Sequence, residues 1–261
     1  MRRLAVLPLF SAVLLGGAAP VPVDLSATQP APAAPGRPFV ARGLPDRVVL
    51  SPGADPARAM AVSFRTAPGE GAAELAPFVP SPGFAARARA IPVSSTPTVS
   101  ENGPATYHRA VFDGLEPDTA YAYRVRGPAG WSEWHQFRTA AAGVRPFRFL
   151  YLGDTQNGIL PVAAMTWRRA LLATADPVLM VHAGDLVDQR DDLLPDDEWG
   201  EWTAAGGWAV ASVPQLPAAG NHEYVSRGGG RMLGGHWPLL FASPGNGAPG
   251  LEATTGEVEW Q

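Results

Sequence analysis

Three apolar segments in the second half of the chain each end in glycine followed by a polar residue. They read FRFLYLGDTQ from Phe147, DPVLMVHAGDLVD from Asp176 and PQLPAAGNHE from Pro214. Short apolar runs of this kind are typical of strands that are buried on both faces. The segments between them have helical character, and a strand–helix–strand–helix–strand order predicts a parallel sheet with right-handed crossovers. The second half of the chain is therefore predicted to be an α/β unit.

The three predicted strand ends carry polar side chains of similar chemistry. They are Asp154 and Gln156 after the first strand, Asp185 and Asp188 after the second, and Asn221, His222 and Glu223 after the third. One Gly-Asp pair is equally consistent with a turn in which Asp154 caps the next helix. Because the carboxyl ends of parallel strands lie side by side, three such ends instead favour one shared crevice. Carboxylate, amide and imidazole groups there are good ligands for divalent metals.

Composition narrows the kind of site that the crevice can hold. The chain has no cysteine and no lysine, so any metal must be held by His, Asp, Glu, Asn or Gln, and a Schiff-base or P-loop lysine is excluded. The net charge is −4 and the sequence contains no basic run, which gives no support to a nucleic-acid partner.

The N-terminus has the order of a secretory signal. Met1-Arg2-Arg3 is followed by an apolar stretch and then by the small residues GGAAP, which predicts a signal peptide over residues 1–19. The apolar stretch is too short for a permanent membrane anchor, so no stable membrane span is expected. The protein is predicted to be secreted or periplasmic. Residues 20–39 are rich in Pro and Ala and are predicted to form a linker.

Residues 40–140 contain short strand-like segments separated by Gly and Pro, and this pattern predicts a small β-sandwich. Within it, GLEPDTAYAYRV resembles the corner before the penultimate strand of fibronectin type III domains. The matching residues are Leu115, Pro117, Thr119, Tyr121 and Tyr123. The resemblance implies a fibronectin III-like domain of about one hundred residues.

The motifs GDTQ, GDLVD and GNHE, in this order, resemble the first three motifs of the calcineurin-like metallophosphoesterase superfamily, which includes purple acid phosphatases. An exported sandwich ahead of the catalytic domain also resembles the purple acid phosphatase plan. The resemblance implies an α/β/β/α sandwich. It also implies two divalent or trivalent metal ions (Fe, Mn or Zn) and hydrolysis of a small-molecule phosphate ester by a two-metal, metal-hydroxide mechanism.

Carried over residue by residue, the resemblance implies a metal-ligand set. Asp154 would hold the first metal, Asp185 would bridge both, and Asn221 would hold the second. Gln156 stands where many relatives have His. It is taken as a ligand, with a role outside the coordination shell as the alternative.

The remaining motif residues are implied to act beside the metals. His222 would steady the phosphoryl group or protonate the leaving oxygen, and Asp188 and Glu223 would orient the ligands and His222. Asp188 stands where purple acid phosphatases have the tyrosine that colours their iron site, so a colourless enzyme is predicted.

This sequence departs from the family pattern after the third motif. The family has a lone His and a GHxH there, whereas the only His after His222 is His236, which is predicted in a surface loop. Residues 145–261 are therefore interpreted as the N-terminal half of the catalytic domain, with the C-terminal part missing and the α/β/β/α sandwich incomplete. The alternative is a degenerate phosphoesterase or a non-catalytic binding or adhesion module. His182, Trp199 and Trp202 are predicted to be core residues.

Overall fold

The computed structural model describes residues 37–188, 196–228, 230–242 and 244. The predicted signal peptide and most of the predicted linker lie outside these residues. Within the described part of the chain, no helix is long and apolar enough to cross a membrane.

The N-terminal part of the described chain contains nine strands. They are β1 (Asp46–Pro52), β2 (Met60–Thr66), β3 (Ala72–Pro77), β4 (Arg89–Ile91), β5 (Val93–Ser100), β6 (Gly103–Phe112), β7 (Ala120–Gly127), β8 (Gly130–Trp131) and β9 (His135–Arg138). One antiparallel sheet has the order β1-β2-β6-β5, and the other has the order β4-β3-β7-β8 with β9 also paired to β7. A 3-10 turn, Pro82–Arg87, connects β3 to β4. The predicted β-sandwich is confirmed.

Apolar side chains from both sheets form one core between them. Leu50 and Phe64 come from the first sheet and Leu75 and Tyr123 from the second, and none of these four is more than 1% exposed. Alternate residues of β7 face this core, as the TAYAYRV pattern predicts, because successive side chains of a strand point to opposite faces.

The C-terminal part is an α/β unit. Its elements are β10 (Leu150–Leu152), a π-helical turn (Ile159–Ala163), α1 (Ala164–Ala173), β11 (Met180–Ala183), α2 (Asp197–Gly206), α3 (Trp208–Ser212) and β12 (Gln215–Ala218). The strands β10, β11 and β12 are parallel neighbours in that order, as predicted. A hairpin of β13 (Tyr224–Arg227) and β14 (Gly230–Leu233) and the short helix α4 (Trp237–Leu240) follow.

The core of the α/β unit is aromatic, and His182 is buried within it. Trp167 from α1 and Trp199 and Trp202 from α2 are at most 3% exposed. His182 on β11 lies beside Trp167 and Trp202, and its Nε2 is 2.8 Å from Oε1 of Gln215 on β12. The predicted core positions of His182 and the two α2 tryptophans are confirmed.

The prediction that the first strand is buried on both faces was wrong for the described residues. Strand β10 begins only at Leu150, and Phe147, Phe149 and Tyr151 are 61%, 49% and 69% exposed. Leu150 is buried, because the helices cover one face of the sheet, whereas the described residues leave the Tyr151 face open. An apolar run alone does not show how many faces of its strand are covered.

The sandwich and the α/β unit share a buried ionic interface centred on Asp196, which is 1% exposed. Its carboxylate accepts hydrogen bonds from Arg47 on β1, from Arg65 on β2 (3.0 Å) and from Asn102 (2.9 Å). His236 completes the set, with Nε2 3.0 Å from Oδ1 of Asp196. The predicted surface position of His236 was therefore wrong: it is 1% exposed because it pairs with this carboxylate.

The buried His182 makes stability depend on pH. Burial lowers its pKa to about 4, although the hydrogen bond to Gln215 acts in the opposite direction. Between about pH 6.5 and pH 4 the unfolded chain binds a proton at His182 that the folded chain does not. This contribution to stability is complete above pH 6.5 and is lost as the pH falls, by up to ~3 kcal/mol. Urea unfolding of the wild type and of His182→Gln at pH 7, 5.5 and 4 should show a shallower pH dependence in the variant; parallel curves would contradict this assignment.

Candidate active site

The first two strand-end loops are joined by backbone hydrogen bonds. The N–H of Asp154 donates to the carbonyl of Gly184 (3.2 Å), and the N–H of Gln156 donates to the carbonyl of Asp185 (3.2 Å). Asp154 and Asp185 both have positive φ, 52° and 51°. Left-handed backbone is uncommon outside glycine and collects at functional sites. The same conformation therefore recurs at equivalent positions after β10 and β11.

The third loop contacts the second one closely. The N–H of His222 donates to Oδ1 of Asp185 (3.0 Å). A Cβ added at Gly184 would lie 2.6 Å from the backbone N of Gly220, and one added at Gly220 would lie 2.5 Å from the backbone N of Asp185. Only glycine fits at these two positions, and this explains why Gly precedes the polar residue in both motifs.

Glu223 holds the second and third loops together. Its side chain is 3% exposed and accepts three backbone N–H bonds, from Asp185 (2.9 Å), Leu186 (2.7 Å) and Gly220 (2.7 Å). Burial raises the pKa of Glu223, and these N–H donors partly oppose the rise. The carboxylate contacts the backbone of both loops, so it fixes their separation.

Asp188 orients the ring of His222. Nδ1 of His222 lies 3.0 Å from the carbonyl oxygen of Asp188 and 3.1 Å from its Oδ1. A carbonyl oxygen can only accept, so Nδ1 carries the proton and Nε2 is the ring nitrogen left for other chemistry. The His222 side chain is 23% exposed, so it is partly open to solvent.

Gln156 has a buried side-chain oxygen that could serve as a metal ligand. Its Oε1 is buried and has no hydrogen-bond partner among the described residues. A buried carbonyl oxygen without a partner lowers the stability of the fold, and coordination to a metal ion would satisfy this oxygen. Asp154 and Asn221 are exposed at the neighbouring loop ends, and Asp185 is partly exposed. The two carboxylates and two amides suit a hard or borderline divalent metal, so the residues present fit such an ion.

The suitability of this site for a metal ion depends on two carboxylates together with two amides, and not on a cluster of acidic and histidine side chains. Among the residues that the structure describes, no three His, Asp or Glu side chains form a group that could hold a metal. Two of the four predicted ligands are amides. The roles assigned to Asp154, Gln156, Asp185 and Asn221 therefore stay predictions.

Two further contacts of these loops were not predicted from the sequence. The hydroxyl of Thr155 donates to the carbonyl of Leu186 (2.9 Å), and the N–H of Asp188 donates to Oε2 of Glu198 on α2 (2.6 Å). Thr155 could have been suspected from its place inside the GDTQ motif. Glu198 lies in a helix beyond the motif, and no spacing rule connects it with Asp188.

Three solved structures that resemble this chain are each 17% identical to it. The structure of PhoD is 17% identical, with a TM-score of 0.45, over 67% of this chain and 38% of that chain. The sensor domain of the anti-sigma factor RsgI4 from Pseudobacteroides cellulosolvens is 17% identical, with a TM-score of 0.24, over 37% of this chain and 97% of that chain. Astrotactin-2 is 17% identical, with a TM-score of 0.29, over 59% of this chain and 29% of that chain. No curated protein matches the sequence.

Family models match both parts of the chain. Residues 45–139 match the purple acid phosphatase N-terminal domain, and residues 147–250 match the calcineurin-like phosphoesterase domain. The match over residues 147–250 confirms the family expected from the three motifs. The likeness to fibronectin type III domains stays a prediction. Residues 45–139 therefore belong to the family of purple acid phosphatase N-terminal domains, and residues 147–250 belong to the calcineurin-like phosphoesterase domain family.

Proposed function

We propose that the protein is an exported, metal-dependent phosphoesterase that hydrolyses small-molecule phosphate esters with two metal ions, drawn from Fe, Mn and Zn. The observation that carries the proposal is the convergence of three strand-end loops on one edge of the sheet. Backbone hydrogen bonds join the loops of Asp154 and Asp185, and the Glu223 carboxylate joins the loop of His222 to that of Asp185.

The chain's own side chains divide into ligands and orienting groups. Asp154, Gln156, Asp185 and Asn221 would hold the metals, with Asp185 between them. When bound, the metals supply an activated water and offset the negative charge that develops on the phosphoryl oxygens.

His222 acts beside the metals. Its Nδ1–H is held by Asp188, so Nε2 can contact the phosphoryl group or, once protonated, donate to the leaving oxygen. A ring fixed in one orientation loses little freedom when the substrate binds, and this favours proton transfer at a defined atom.

Metal removal tests the proposed chemistry. A version of the protein that includes the C-terminal part expected from the family pattern, rather than this chain alone, is expected to hydrolyse p-nitrophenyl phosphate, to lose turnover on chelation and dialysis, and to regain it with Mn²⁺, Zn²⁺ or Fe. No visible absorbance band from a tyrosinate–iron pair is expected, because Asp188 occupies that position. Turnover that survives full metal removal would contradict the proposal. Metal binding without turnover on any phosphate ester would favour the non-catalytic module instead.

Export rests on residues 1–19, which lie outside the described residues. Mass spectrometry of the mature protein from the periplasm or culture medium should find cleavage after Ala18 or Ala19. An intact N-terminus on protein found only in the cytoplasm would remove this part of the proposal.

A further inference from the structure

The sandwich caps helix α2 of the α/β unit. The side chain of Asp196, at the N-terminus of α2, makes no capping hydrogen bond. Oε1 of Glu101 instead accepts the N–H groups of Asp196 (2.8 Å) and Asp197 (3.3 Å). Nδ2 of Asn102 donates to the carboxylates of both residues, at 2.9 and 2.8 Å. Glu101 and Asn102 form the turn between β5 and β6, so a loop of one domain satisfies helix-terminal groups of the other.

Buried charge anchors the same end of α2. Arg47 and Arg65 donate to the Asp196 carboxylate from β1 and β2. Burial acts to raise the pKa of Asp196, but the hydrogen bond from His236 and the charges of Arg47 and Arg65 outweigh it and hold this pKa well below its ordinary value. Asp196 is therefore ionised at neutral pH, and the start of α2 is fixed to the sandwich.

A second contact of the first turn of α2 connects the helix to the candidate site. Glu198, two residues after Asp196, accepts the N–H of Asp188 through Oε2 (2.6 Å). Asp188 in turn holds Nδ1 of His222 through its carbonyl and carboxylate oxygens. A continuous path of hydrogen bonds and helix backbone therefore runs from Glu101 through α2 and Glu198 to Asp188 and His222.

We propose that Glu101 and Glu198 are positioning residues for His222, so that the sandwich domain sets the orientation of the histidine ring. The catalytic consequence rests on the proposed function, whereas the geometric consequence can be measured without turnover. A purely structural role, in which the sandwich only stabilises the α/β unit, predicts that removal of either glutamate lowers stability without moving the His222 ring.

The experiment follows the His222 ring by NMR of the metal-free full chain, with the signal assigned by comparison with His222→Gln. All five histidines of the chain lie in described residues. His222 is partly exposed, whereas the remaining four are buried, namely His108, His135, His182 and His236. We expect Glu198→Ala and Glu101→Ala to shift the His222 signal in the same direction as Asp188→Ala. Glu198→Gln, which keeps an acceptor oxygen, should restore most of the wild-type position.

Two control variants separate this effect from general loss of charge. Glu201→Ala removes a second glutamate of α2, and Glu70→Ala removes an exposed glutamate of the sandwich. Both should leave the His222 signal in place. An unmoved signal in Glu101→Ala would overturn the coupling between domains, and an unmoved signal in Glu198→Ala would overturn the positioning role itself.

Kinetics then test the consequence for catalysis. In the metal-loaded chain, Glu101→Ala and Glu198→Ala should lower kcat on the order of 10-fold with little change in KM, because partners that orient a functional group typically contribute this much. Unchanged kcat together with a shifted His222 signal would overturn the catalytic consequence. Absence of turnover in the wild type would count against the proposed function alone, since the NMR result stands independently of it.

Discussion

Replacement of Asp196 by alanine is expected to lower the free energy of unfolding by about 3–5 kcal/mol, the largest stability effect that we predict for a single side chain. The carboxylate is 1% exposed, and it pairs with Arg47 and Arg65 and contacts Asn102 and His236. Its removal leaves the buried guanidinium of Arg47 without a carboxylate partner, whereas Arg65 keeps its ion pair with Asp46. A buried charge that loses its partner is far more costly than an exposed one.

Asp197→Ala is the matched control, because it removes the same group one residue along the chain. The Asp197 carboxylate is partly exposed and accepts from Asn102, so about 1 kcal/mol is expected for its loss. Urea unfolding at pH 7, followed by tryptophan fluorescence, measures both variants. A loss below ~1 kcal/mol for Asp196→Ala, or equal losses for the two variants, would show that the ionic interface does not hold the domains as described.

Asp185→Asn is expected to reduce metal affinity and turnover by roughly 100-fold or more, since even residues that only orient a metal ligand typically contribute 10–100-fold. The substitution keeps the size of the side chain and an acceptor oxygen for the N–H of His222. It removes the negative charge that the proposed bridging position needs. The fold should therefore be retained while metal binding is lost.

Asp113→Asn makes the same chemical change on the exposed surface of the sandwich and serves as the control. Equilibrium Mn²⁺ binding followed by electron paramagnetic resonance should separate Asp185→Asn from both the wild type and this control. Wild-type affinity and turnover in Asp185→Asn would remove Asp185 from the metal site.

The parallel sheet and its core could be predicted because they depend on local pattern. Apolar runs bounded by glycine mark β11 and β12, and helical spacing places Trp199 and Trp202 on one buried face. The GG pair at Gly206-Gly207 also divides the helical segment where α2 ends and α3 begins. These features follow from a few neighbouring residues, so the sequence is sufficient for them.

Features that depend on distant partners could not be predicted in the same way. His236 directly precedes the apolar run from Trp237 to Phe241, but no local pattern shows that its ring pairs with Asp196. Asp196 in turn pairs with Arg47, which is 149 residues away in sequence. The exposure of Tyr151 likewise depends on what packs against the second face of the sheet. No periodicity in a single strand contains that information.

The candidate site could be predicted only in part from the sequence. The topology required the loops of Asp154, Asp185 and His222 to meet, and they do. Their chemical roles came from the family resemblance and stay predictions. The path through Glu198 had no sequence signal, because it joins Asp188 to a helix that begins after residues 189–195.

Anomalous diffraction from crystals of the full chain grown with Mn²⁺ would show whether the three strand-end loops bind metal. We expect anomalous peaks at the carboxyl ends of β10, β11 and β12, within coordination distance of Asp154, Gln156, Asp185 and Asn221. Ions found only elsewhere, or a fully ordered crevice without a peak at saturating Mn²⁺, would contradict this expectation.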